Sequence, residues 1–152
     1  MMEESGFQVI AVMPNTMSNL DKFSCLLNSC SVMVGAHGAG LTNAVFLLAG
    51  AVVVQVVPLG IDWASRTYHR GPVAEMEVKY LEYKIEPEES SLSSAYDADH
   101  PVITDPMSIL LKGYEAAKAV YIDEQNLKIN LVKFRETLVE AIKLLGRSTP
   151  LN

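Results

Sequence analysis

Apolar residues fall in short, near-continuous runs separated by polar or glycine-bearing punctuation, a pattern that predicts alternating strands and helices. "FQVIAVMP", Phe7 to Pro14, is a β-rich run closed by proline and predicts a first strand. A helix follows, with Ser18 and Asp21 in capping-box relation and Leu20, Phe23, Leu26 and Leu27 on one face; Asn28 to Ser31 form its exit. "VMVG" predicts a second strand, "AHGAG" a loop, "LTNAVFLLA" a second helix and "AVVVQVVP" a third strand. The order is β-α-β-α-β. Runs of Val without strict alternation mark strands covered on both faces, so the expected sheet is parallel with right-handed crossovers, half of a doubly wound fold.

Beyond Pro58 the pattern loosens. "LGIDWASRTYHRGPVAEM" predicts a surface connection with a short helix around Ala64 to Tyr68, and "EVKYLEYKI" alternates as a partly covered strand. A polar loop, "EPEESSLSSAYDADHPV", leads to Asp105 and Pro106, an N-cap and first-turn proline for "PMSILLK", and a further short helix runs from Tyr114 to Tyr121. The last helix is the clearest. Asn130 caps it, Phe134, Leu138, Ala141, Ile142 and Leu145 form its apolar stripe, and Gly146 stands where a left-handed residue ends a helix.

Composition narrows the class. The chain has 152 residues, enough for one domain with a sizeable core, and it is 49% hydrophobic and 20% charged. Twelve basic against eighteen acidic side chains give a net charge of −6, which argues against a nucleic-acid partner or an anionic membrane surface and still permits a local phosphate site. Cys25 and Cys30 lack metal-ligand spacing and read as two buried thiols. The N-terminus lacks the basic region and cleavage site of a signal peptide. The longest apolar stretch is interrupted by Thr42, Asn43, Gly50 and Gln55, so it reads as helix, turn and buried strand rather than a membrane span.

The candidate chemistry lies in "VGAHGAGLTN", Val34 to Asn43, a loop leaving the end of a predicted parallel strand and opening a helix. Unpaired N–H groups and the positive helix end attract anions there, and Gly35, Gly38 and Gly40 remove the β-carbons that would keep a phosphate from the backbone. Thr42 and Asn43 are available as side-chain donors, and His37 as a charge-assisted one. The alternative is a glycine turn that merely lets a helix pack close to the sheet. The spacing G-x-x-G-x-G differs from G-x-G-x-x-G and there is no P-loop lysine, which disfavours a dinucleotide oxidoreductase.

"VGAHGAGLTNAVFL" resembles the signature of glycosyltransferase family 61, in particular its plant xylan-modifying members. "AGAVVVQVVPLG", Asp62 and Trp63, "YLEYKIEPEESSL", "HPVITDP" and "EQNLKINLVKFRETLVEAI" resemble successive blocks of that family in the same order, so that the likeness runs from Phe7 to Leu145. It implies a Rossmann-like α/β fold, the C-terminal, donor-binding half of a two-domain GT-B enzyme, spanning residues 1–152. Family members are typically type II membrane proteins of the Golgi that transfer a sugar from a UDP-sugar to a polysaccharide such as xylan or to a glycoprotein, here expected to be inverting and metal-independent. The resemblance assigns Gly35, His37, Gly38, Ala39, Gly40, Leu41, Thr42 and Asn43 to the donor diphosphate, and Glu88 and Glu89 to the ribose hydroxyls. A solvated acidic loop is the plainer reading of the last two.

Catalytic residues stay unassigned, with His37 a candidate only. No cofactor is expected beyond the donor substrate. Asp97-Ala98-Asp99 spells the D-x-D of metal-dependent glycosyltransferases but reads better as a polar turn; Trp63 and Tyr68 read as core anchors before cleft residues, and His100 as a turn residue. Leu48 replaces a proline common in the family, "YHRGPV" is unusual, and neither an anchor nor an acceptor domain is recognisable. The chain is therefore expected to be part of a longer enzyme whose N-terminal domain supplies the base, and to be inactive alone. The rival reading is a non-catalytic nucleotide-binding or interaction module.

Overall fold

A computed structural model describes residues 2, 3, 6–13 and 19–146. Its centre is a parallel sheet of three strands in the order β1 (Val32–Ala36), β2 (Val52–Val57), β3 (Lys79–Lys84). Every residue of β2 is buried, which explains a valine run broken only by Gln55. One face carries Met33, Val53 and Tyr80 against Phe23 and Leu27 of α1 (Leu20–Asn28), Leu41, Ala44 and Val73. The other carries Val52, Val54, Val56 and Tyr83 against Phe134, Leu138 and Ala141 of α8 (Leu131–Leu144). Burial on both faces is what a parallel sheet requires.

The final helix follows its sequence pattern. Asn130 accepts from the N–H groups of Val132 and Lys133, and Gly146 has φ +72°. A third cluster, under α4 (Leu92–Ala95), α5 (Pro101–Thr104), α6 (Pro106–Leu110) and α7 (Tyr114–Lys118), gathers Ile61, Leu92, Val102, Ile109 and Tyr121. The "polar loop" thus holds α4 and the start of α5, while α6 and α7 fall where short helices were expected; the layer is anchored where Tyr121 donates to the Val102 carbonyl at 2.9 Å.

Four expectations need correction. Residues 7–13 form no strand, and their apolar side chains Val9, Ile10, Val12 and Met13 are exposed; Pro14 lies outside the described residues. The first helix is capped by Asn19, whose side chain accepts from Lys22 N–H at 3.1 Å; Ser18 also lies outside the described residues. The second helix is a 3₁₀ helix, Ala39–Phe46, in place of an α-helix over Leu41 to Ala49. Helix also continues beyond Ala64 to Tyr68, through α2 (Asp62–Ser65), a π turn (Arg66–Arg70) and α3 (Gly71–Glu75), with Pro72 in the first turn of α3. Among the described residues no helix is long and apolar enough to cross a membrane.

Candidate functional site

The glycine loop leaves the carboxyl end of β1 and enters the 3₁₀ helix. Gly38 sits at φ +155°, ψ 177°, a conformation almost confined to glycine. The Leu41 N–H already bonds the Gly38 carbonyl at 3.1 Å, and the His37 N–H bonds Val56 at 2.9 Å. The N–H groups of Gly38, Ala39 and Gly40 have no hydrogen-bond partner among the described residues, so three main-chain donors cluster at one helix start. Beside them His37, Gly38, Ala39, Thr42 and Tyr68 line a shallow depression of about 270 Å³.

The three glycines play different parts. A β-carbon at Gly35 would stand 3.0 Å from Leu41 Cδ2, so this glycine admits a core leucine that is itself 2% exposed. Open space surrounds the corresponding positions at Gly38 and Gly40. Thr42 and Asn43 turn their donors inward: Thr42 Oγ1 donates to the Ala39 carbonyl at 2.6 Å and Asn43 Nδ2 to Gly40 at 2.9 Å. Bonds to the third residue back reinforce the 3₁₀ pattern, the local reason that an α-helix does not form here.

His37 is embedded in polar contacts. Its Nδ1 lies 2.7 Å from Gln55 Nε2 and 3.4 Å from Ser65 Oγ, and both partners are completely buried. Gln55 Oε1 in turn accepts from the Tyr80 hydroxyl at 2.5 Å, and Tyr80 also lies 3.2 Å from Glu82 Oε1. Burial, followed by the neighbouring Glu82 carboxylate, pushes the Tyr80 phenol well above its ordinary range, so it stays a donor. Gln55 and Ser65 escaped the sequence reading, in which Gln55 merely interrupted an apolar run. A glutamine centred in a buried strand was the available signal, because a buried amide needs partners.

The two glutamates separate. Glu88 is exposed, whereas Glu89 is 5% exposed and its carboxylate is occupied by the structure itself. It accepts from Tyr83 Oη at 2.6 Å, Asn130 N at 2.5 Å and Glu86 N at 2.9 Å, closing a reciprocal cap with Glu86. The solvated acidic loop is thus corrected at Glu89, which ties β3 to the start of α8.

Cys25 is exposed rather than buried, and Cys30 is half-buried. Trp63 and Tyr68 are also exposed, at 46% and 59%, with ring centroids 6.2 Å apart, which places Tyr68 at the loop rather than in the core. Asp97 and Asp99 occupy an exposed turn, and no cluster of three or more metal-ligating side chains occurs among the described residues. His100 caps α5, its Nδ1 accepting from Val102 N at 3.2 Å.

No protein-family model matches the chain. Among curated proteins, it is 39% identical over 141 residues to a xylan glycosyltransferase of Arabidopsis thaliana, covering 93% of this chain and 28% of the relative. It is 41% identical over 147 residues to an α-1,3-arabinosyltransferase of Oryza sativa subsp. japonica, covering 96% and 26%. A β-1,2-xylosyltransferase of the same rice matches at 38% over 144 residues, covering 94% and 30%. The chain thus spans less than a third of the length of these relatives. With the glycine loop, the strands and the final helix all inside the matched region, the chain belongs to glycosyltransferase family 61, the family of the plant xylan arabinosyl- and xylosyltransferases.

Proposed function

We propose that this chain is the donor-binding half of a two-domain, GT-B-type glycosyltransferase that moves a sugar from a UDP-sugar to xylan or a related acceptor. The supporting observation is the cluster of N–H groups at Gly38, Ala39 and Gly40, placed at the carboxyl end of a parallel strand. Charge develops on the diphosphate as the glycosidic bond breaks, and fixed donors there lower the barrier without reorganising. In an inverting transfer, a base removes the acceptor hydroxyl proton while that oxygen attacks the anomeric carbon opposite the leaving diphosphate. This half holds the leaving group. The base and the acceptor surface belong to the remainder of the enzyme, and a Golgi location as a type II membrane protein completes the reading.

Titration calorimetry of the chain with UDP, with and without Mn²⁺, tests it. Binding that does not depend on metal and is lost in Gly38→Val supports the cradle. A folded chain that ignores UDP overturns it and favours a non-catalytic module, a reading that gains from the inward-facing donors of Thr42 and Asn43.

A further inference from the structure

We propose that Gln55 is a positioning residue that fixes the tautomer of His37, keeping the ring proton on Nε2. The argument starts from the Gln55 amide, which lies at zero exposure in the middle of β2, opposite Gly35 on β1 and Glu82 on β3. Its oxygen is held by the Tyr80 hydroxyl at 2.5 Å, which leaves its NH₂ end facing His37 Nδ1 at 2.7 Å. An amide NH₂ only donates, so Nδ1 accepts and the ring proton resides on Nε2. The Ser65 hydroxyl of α2 lies 3.4 Å from the same Nδ1 and can donate to it. The His37 N–H bond to Val56 pins the ring's backbone to the neighbouring strand.

The charged groups around this relay are Glu82 from β3 and Arg66 and Arg70 from the π turn, all acting on Tyr80. A neutral imidazole with Nε2–H is suited to a diphosphate oxygen, which only accepts. The role in donor binding rests on the proposed function; the tautomer does not. It rests on the bonds that Gln55 makes with His37 and Tyr80.

Selective ¹⁵N-histidine labelling of the full chain, with long-range proton–nitrogen correlation, reads the tautomer directly. The three histidines are distinguished by loss of the His37 signals in His37→Ala. The wild type is expected to show a pyridine-type Nδ1 and a pyrrole-type Nε2. Gln55→Glu places an acceptor against Nδ1 and is expected to move the proton there, weakening UDP binding about tenfold, the scale on which removing an outer hydrogen-bond partner acts at other sites. Tyr80→Phe, which frees the amide to turn without burying a charge, is expected to give a mixture of tautomers. A wild-type Nδ1–H with UDP still bound would overturn this inference alone. An unmoved proton in both variants overturns the role of Gln55. The expected tautomer in a chain that binds no UDP overturns the donor reading, and with it the purpose assigned to the relay.

Discussion

Glu89 stays charged although it is almost enclosed. Burial, the largest single influence, pushes its carboxyl up, but the N–H groups of Asn130 and Glu86, the Tyr83 hydroxyl and the charge of Lys133 together bring it below the ordinary value of 4.5. A group depressed in the folded state contributes stability that is present above its unfolded value and lost as pH falls through the folded one. Glu89→Gln is therefore expected to cost about 2 kcal/mol at pH 7, since a half-buried N–H then loses its charged acceptor. The difference from wild type in urea unfolding should shrink as pH drops below 4.5. A difference that stays constant down to acid pH would contradict the charge-based account.

Gly60 makes a second residue-level case: φ is +76°, and a β-carbon would stand 2.5 Å from the ring of Tyr121. That ring is 1% exposed, and its phenol is pushed up by burial to about 12. Gly60→Ala is expected to lose about 2–4 kcal/mol, from overpacking and a left-handed backbone together, read as a lower thermal midpoint. None of this was legible from the glycine itself, because Tyr121 approaches from 61 positions further along the chain.

Among the elements, the glycine loop separates backbone strain from ligand contact. Gly38→Val forces a β-branched residue into φ +155° and is expected to cost about 1–3 kcal/mol, even though open space surrounds it. Gly40→Ala meets nothing within 4 Å and carries no left-handed backbone, so its unfolding midpoint should match wild type. If Gly40→Ala nonetheless weakens UDP binding in calorimetry, the ligand approaches that backbone closely. Unchanged binding would place the diphosphate elsewhere along the loop. Elements with their own chemistry were legible: α8 through its Asn130 cap, apolar stripe and Gly146, and β2 through its buried run. The 3₁₀ helix was not, since apolar spacing cannot show that Thr42 and Asn43 bond three residues back. The helix beyond Tyr68 was read as a connection because Gly71 and Pro72 resemble breakers, although Pro72 lies in the first turn of α3.

At the scale of the molecule, the open question is the edge of β1. On one side it pairs with β2; on the other, no strand pairs with it among the described residues. The first run of the chain has the composition of a strand, yet 8–12 make no backbone hydrogen bond among the described residues and line a groove of about 550 Å³ beside β1. Side-chain pattern registers the tendency to extend; it cannot register whether a partner is present. Hydrogen exchange decides between the two. The amides of β2, paired on both sides and wholly buried, should exchange slowest, those of β1 next, and those of 8–12 at nearly unprotected rates. Protection at 8–12 comparable to β1 would show the run annealed to the open edge in solution, restoring the strand that its composition predicts. Fast exchange there, with a protected β2, would show that the two-faced core stands without it, held by α1 and the 3₁₀ helix on one side and α8 on the other.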